Sequence, residues 1–264
     1  MDSRRALQHN QLLASLPKDV LNRLVPNLEL VLLPLGQILH EPERIMQYAY
    51  FPTNAVVSLF NMLENGESSE AALVGNEGFV GMPLLMGGES TSTVAMVTNI
   101  GYAYRLPRHQ FKDELNRHNG LLLQLLRYTQ TLITQMTQTA ACNRHHSIDQ
   151  QLCRWLLLSI DRTSKNQLTM TQESIANMLG VRREGVTLSA HKLQKLGVIE
   201  YTRGKITVLD RSRLEKLSCE CYSVVKKETD RLLPSAPKLP GYPVPRIPII
   251  PRERMPYRET SMRV

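Results

Sequence analysis

The chain changes its period once, at Pro107, and that change limits the folds open to it. Upstream, LELVLL, QILH, YAYF, AVVSLF, EAALVG, STVAMV and GYAYRL are short segments rich in Val, Leu and Tyr. Pro34-Leu-Gly36, Pro52-Thr-Asn54, Asn65-Gly66, Gly75-Asn76 and Gly87-Gly88 separate them. Short apolar runs at regular spacing, each closed by a turn signal, predict strands of an antiparallel sandwich or barrel. Downstream, apolar residues recur at three and four, the period of a helix. Strands first and helices second predict an α+β chain with the two classes segregated.

The helical half opens with a run from Leu121 to Asn143 that holds neither Pro nor Gly. Leu122, Leu125, Thr129, Leu132, Met136 and Thr139 alternate spacings of three and four. That is a heptad-like seam, and a seam needs a partner. Leu121, Leu126 and Ile133 form a second stripe. One stripe is expected on the chain's own strands and the other on a second copy. Leu122, Leu125, Thr129, Leu132 and Met136 are the expected dimer seam. Residues 148–170 continue as helix, with Ile148, Leu152, Trp155, Leu156 and Ile160 as core, and 215–232 form a last helix. Before the strands, residues 11–24 read as two short helices around Pro17.

The stretch Thr171–Leu209 carries the chemistry. Thr171 can cap a first helix, with Glu173 in its first turn, where the helix dipole favours an acid. Ile175 and Leu179 face inward, and Ala176 is small where two helices must cross. Gly180 supplies a left-handed turn, and Val181 plugs it. A second helix begins near Arg182, with Val186 and Leu193 inward, and Gly197 ends it. Two strands follow, Val198–Tyr201 and Lys205–Leu209, around the turn Thr202-Arg203-Gly204. A helix-turn-helix followed by a basic hairpin is a winged DNA-binding head. The N-terminal part of the second helix reaches base edges in such heads, so Arg182, Arg183, Glu184 and Thr187 are the expected base readers. Arginine can donate two bonds to guanine, and glutamate can accept from cytosine. Thr171, His191, Lys192, Arg203 and Lys205 are the expected phosphate contacts.

Charge agrees with an anionic partner for this half. The formal charge of the 264 residues is +8; residues 1–147 carry a net −1, 148–232 a net +5 and 233–264 a net +4. Aromatic residues make up only 5%, too few for stacking on single strands to be the main mechanism, so double-stranded DNA is the expected partner. Residues 233–264 hold eight prolines within 234–264 and read as a disordered or polyproline-like basic tail. No apolar run spans a membrane, and MDSRRALQHNQLLASL lacks the apolar core of a secretion signal. A cytoplasmic chain is expected. No nucleophile triad, phosphate loop or dinucleotide loop is present, so no enzyme is expected. Cys142, Cys153, Cys219 and Cys221 lack zinc-finger spacing. Cys142-Asn-Arg-His145-His146 reads as packing or capping at a helix end. Cys219 and Cys221, two apart on one helix, point to different faces. No metal and no cofactor are therefore expected.

Strand region, long helix and winged helix, in that order, resemble the Crp/Fnr transcription regulators over about residues 15–225. Val181-Arg-Arg-Glu-Gly-Val186 is similar to the family's Arg-Glu-Thr-Val recognition pattern, and TQTAACNRHHSIDQQLCRWLL and RGKITVLDRSRLEKLSCECY resemble a large subgroup of it. The resemblance implies a jelly-roll-like β-roll sensor domain over 12–107, a long dimerisation helix over 108–147 and a winged helix-turn-helix over 148–232. It implies a homodimer on a near-palindromic site, with RNA polymerase as a further partner. Ser189 stands where the family carries a larger aliphatic residue, which implies looser packing there. Members that bind cyclic AMP use a Gly-Glu and a downstream Arg in the β-roll. Here Gly81 is followed by Met82, and no Arg occurs between Gly81 and Thr98. Without that cation, burial of a phosphate is costly. Gly81, Met82, Ser92 and Thr93 are thus expected to line a degenerate effector pocket. An unknown small-molecule effector stays open, as does a regulatory module that binds a small molecule and acts through protein contacts. Iron–sulfur members carry clustered N-terminal cysteines, and none precedes Cys142 here.

Overall fold

The computed structural model describes residues 7–117, 120–163 and 165–233. Two short helices, α1 (Gln11–Ala14) and α2 (Lys18–Leu24), lead into seven strands. These are β1 (Glu29–Leu33), β2 (Ile38–His40), β3 (Tyr48–Pro52), β4 (Val56–Met62), β5 (Ser68–Val74), β6 (Val94–Asn99) and β7 (Gly101–Pro107). They form two antiparallel sheets, ordered β1-β7-β3 and β2-β6-β4-β5. All seven lie where alternation and turn residues put them. A short helix, α3 (Met82–Met86), interrupts the strands after Gly81; its five residues are too few to show a period.

After Pro107 the chain makes α4 (Arg108–Leu115) and then α5 (Gly120–His145). Residues 108–147 are therefore two helices, not the single long one expected. Tyr128 of α5 is wholly buried against the roll, its ring 5.6 Å from that of Phe79. Gly78 makes the contact possible: a Cβ there would sit 2.0 Å from the Tyr128 ring.

The C-terminal half follows as α6 (Ile148–Asp161), β8 (Gln167–Thr169), α7 (Gln172–Leu179), α8 (Arg183–Lys195), β9 (Ile199–Thr202), β10 (Lys205–Val208), α9 (Arg211–Leu217) and α10 (Glu220–Leu232). Ser147 caps α6 in a reciprocal capping box with Gln150, a pairing that satisfies two free backbone donors. The helix expected over 148–170 stops at Asp161, and Gln167–Thr169 is a strand in a sheet ordered β8-β10-β9. The single helix expected over 215–232 is two, broken at Ser218, with Cys219 as the cap of the second.

One core fills the roll and takes in Leu121, Leu125, Tyr128 and Leu132 of α5, together with Leu233. The second core fills the winged helix but also holds Val56 and Leu73 of the roll. The two halves therefore share apolar packing. Polar contacts cross the same boundary. Arg162 Nε donates to Glu77 Oε1 at 2.6 Å with both side chains buried, and Arg162 Nη2 donates to Gln135 Oε1 at 2.7 Å. The tail expected at 233–264 lies outside the described residues except for Leu233, which is buried rather than solvated.

Candidate nucleic-acid interface

Thr171 caps α7: its Oγ1 accepts from Ser174 N at 3.1 Å. Gly180 ends the helix at φ 64° and ψ 37°, a left-handed conformation that costs most side chains but not glycine. Ile175, Ala176 and Leu179 are buried, as are Val186 and Leu193 of α8. The helix-turn-helix interior is the one expected.

The outer face of α8 carries Arg182, Arg183, Glu184, Thr187 and His191, all exposed. Leu188 lies among them at 73% exposure. The sequence reading missed it, because a leucine in a helix suggests core. Its position two residues past the buried Val186 was the available signal. Arg183 Nε stands 3.8 Å from Glu173 Oε2. The Thr187 hydroxyl donates to Gln172 Oε1 at 2.7 Å, so it ties α8 to α7 as well as facing outward.

Asp149 anchors the back of α8. It accepts from Ser189 Oγ at 2.6 Å and pairs with Lys192 Nζ. The Lys192 ammonium and the Ser189 hydroxyl offset the effect of burial and hold the Asp149 carboxyl below its usual range. Ser189 is therefore a hydrogen-bonded contact, not a loosely packed one. Lys192, expected on phosphate, is held by Asp149, while Arg203 and Lys205 are exposed at the wing tip. Met170 N donates to Gly204 O at 2.8 Å, and Tyr201 Oη donates to Met170 O at 3.2 Å. These bonds fix the wing tip beside Thr171, so cations flank the helix start.

The roll holds a cavity of about 410 Å³. Gly81, Met82 and Thr93 line it as expected, with Phe79, Leu59 and Met86. Ser92 does not; it is exposed outside. Among the described residues around the cavity none is Arg, Lys, Asp or Glu, and His40 is the one that titrates. Burial lowers the His40 imidazole pKa, which keeps the ring neutral. Met82, where the cassette's glutamate would stand, turns its sulfur to the Thr129 hydroxyl at 3.6 Å.

Thr129, Leu132 and Met136 line the same cavity, and Leu125 is wholly buried. The expected dimer seam thus faces the chain's own roll; Leu122 is half-buried. Of the second stripe Leu121 is buried, while Leu126 (51%) and Ile133 (53%) stay exposed with Leu123 beside them, and Ile133 also borders the cavity. The two apolar stripes run side by side on this helix, and spacing does not say which of their residues the roll covers.

A β-roll joined by a long helix to a winged helix with a cationic, exposed second helix defines a two-domain DNA-binding regulator fold. Residues 150–217 match the family model of the Crp-like helix-turn-helix domain. The fold is that of the Crp/Fnr transcriptional regulators. FixK2 from Bradyrhizobium japonicum is 16% identical with a TM-score of 0.60, covering 73% of this chain and 98% of its own. The c-di-GMP responsive global regulator CLP of Xanthomonas campestris is 13% identical with a TM-score of 0.58, covering 73% and 99%. A CRP-family transcriptional regulator from Thermus thermophilus, TTHB099, is 17% identical with a TM-score of 0.58, covering 71% and 96%. No curated protein matches the chain significantly.

Proposed function

We propose that the chain is a cytoplasmic transcription regulator that binds a near-palindromic duplex site as a homodimer and works with RNA polymerase. The observation that carries this reading is the outer face of α8, where Arg182, Arg183, Glu184 and Leu188 are exposed between the wing cations and the α7 cap. Arg183 and Glu184 read base edges. Leu188 contacts a thymine methyl, the apolar mark of the major groove. Arg203, Lys205 and the helix cap at Thr171 hold phosphate. The exposed stripe of Leu126 and Ile133, rather than the buried one, joins the two copies.

The cavity chemistry favours an uncharged effector. A cyclic phosphate there would lie against Met82 with no cation, so cyclic AMP and c-di-GMP are poor candidates. Calorimetry with either nucleotide is expected to give no binding heat.

Selection of genomic fragments by the purified chain tests the reading as a whole. A symmetric motif, bound more weakly as salt rises, is the expected result. Arg183→Ala should cost about 1–3 kcal/mol of affinity on that motif and relax one base position. Failure to retain any fragment at low salt would overturn the proposal.

A further inference from the structure

Three of the four cysteines meet at the junction between α5 and the last helix. Cys142 and His146 are four residues apart at the end of α5, hence on one face. His146 N donates to Cys142 O at 3.0 Å, which extends the helical ladder past His145. Cys219 caps α10, and Cys221 lies in its first turn. The three sulfurs and a ring nitrogen of His146 all fall within 4.8 Å of one another. Cys142, Cys219 and Cys221 are buried and form a small cluster of their own. The sequence expectation that Cys219 and Cys221 face apart fails because the chain is not helical at Cys219.

The spacings have a chemical meaning. Cys142 Sγ lies 3.6 Å from Cys219 Sγ, and Cys221 Sγ lies 3.6 Å from His146 Nδ1. A tetrahedral zinc with bonds of about 2.3 Å to sulfur and about 2.0–2.1 Å to nitrogen has edges of roughly 3.7 Å between sulfurs and roughly 3.5 Å between sulfur and nitrogen. The opposite ring nitrogen, His146 Nε2, stands 3.3 Å from Glu220 Oε2. A carboxylate behind a ligating histidine fixes its ring and raises its basicity. The buried Arg154 is the nearby cation. Its Nη1 donates to Thr139 Oγ1 at 3.1 Å, one turn before Cys142, and its Nε has no partner. Zinc held by three thiolates and an imidazole keeps one net negative charge, which this guanidinium offsets.

We infer that Cys142, His146, Cys219 and Cys221 form a Cys3His site for one tetrahedral zinc ion. A disulfide would use only two of the three sulfurs and would leave the His146–Glu220 pair without a task. The ion ties the end of the long helix to the start of the last helix. Those helices also meet further along, where Gln130 Nε2 donates to Glu228 Oε1 at 3.0 Å. The inference holds whatever the head binds.

Elemental analysis of the full chain, purified under reducing conditions without chelator, is expected to give one zinc per chain. Cobalt(II) in its place should give the charge-transfer and visible bands of a tetrahedral thiolate site. Cys142→Ser and Cys221→Ser should each weaken metal binding at least tenfold and lose those bands. Cys153→Ala, outside the cluster, should keep both. Should the serine variants fail to fold, differential alkylation of the unaltered chain decides. Chelation should expose Cys142, Cys219 and Cys221 together and leave Cys153 unchanged. A chain that takes up neither zinc nor cobalt, or whose resting form carries a Cys142–Cys219 disulfide, would overturn the site.

Discussion

Arg203 holds a left-handed backbone, φ 51°, next to Gly204 at φ 77°. Two consecutive positive φ angles suit a tight hairpin turn, for which Asn-Gly is the preferred pair. Arginine at the first position costs about 1 kcal/mol, so the side chain sits there against the backbone preference. Arg203→Asn should therefore raise thermal stability while weakening duplex binding and lowering its salt dependence by about one phosphate contact. Parallel melting and binding curves would check both signs. Glu70 is a second residue at odds with its surroundings. Burial lifts its carboxyl from the ordinary 4.5 to about 6, although the Ser58 hydroxyl donates to it at 2.6 Å. Below pH 4.5 the acid is protonated folded and unfolded alike, so it exacts no penalty. As pH rises the unfolded chain releases the proton first. Above about pH 6 the fold has lost about 2 kcal/mol. Glu70→Gln should thus gain more over the parent chain at pH 8 than at pH 4.5 in denaturant titrations.

Among the elements, α5 has the most divided task. Its inner stripe walls the cavity, Leu126 on the other side meets solvent, and Ile133 touches both. Leu123→Glu with Leu126→Glu, both half-exposed and away from the cavity, should leave the melting of the protomer largely intact and shift sedimentation to a monomer. Leu125→Ala should cost about 2–5 kcal/mol of stability. Gly78→Ala should cost about 1–3 kcal/mol, because the new methyl group meets the Tyr128 ring; chemical denaturation would measure it. The seven roll strands were legible from alternation and turn residues. So was the helix-turn-helix, where Thr171, Gly180 and Gly197 punctuate the period. Strand β8 was not, since three residues carry no period and its pairing with β10 is non-local. Nor was the covered face of α5, which depends on how the roll curves. The cysteine cluster escaped because Cys142 and Cys219 are 77 positions apart, and only folding brings them together.

At the scale of the molecule, the halves are bound by more than a linker. Val56 and Leu73 of the roll lie in the same core as Trp155 and Leu156 of α6. The Glu77–Arg162 pair is buried where they meet. Removing one member of such a pair typically costs about 3–5 kcal/mol. Glu77→Gln should therefore split a single thermal transition into two, which calorimetry would resolve. At Gly180, the turn of the helix-turn-helix, an added Cβ would already meet the Ser69 side chain of β5 at 3.5 Å. The head is thus braced by the sheet that also walls the cavity, which gives cavity and head a shared strand hairpin.

That shared packing bears on how the protein can be dissected. A chain severed near Ser147 would leave Val56 and Leu73 bare on one fragment and Trp155 bare on the other. Each piece would carry a greasy scar and tend to clump. A winged head prepared alone should regain solubility once a polar residue replaces Trp155, whereas the intact chain needs no such repair.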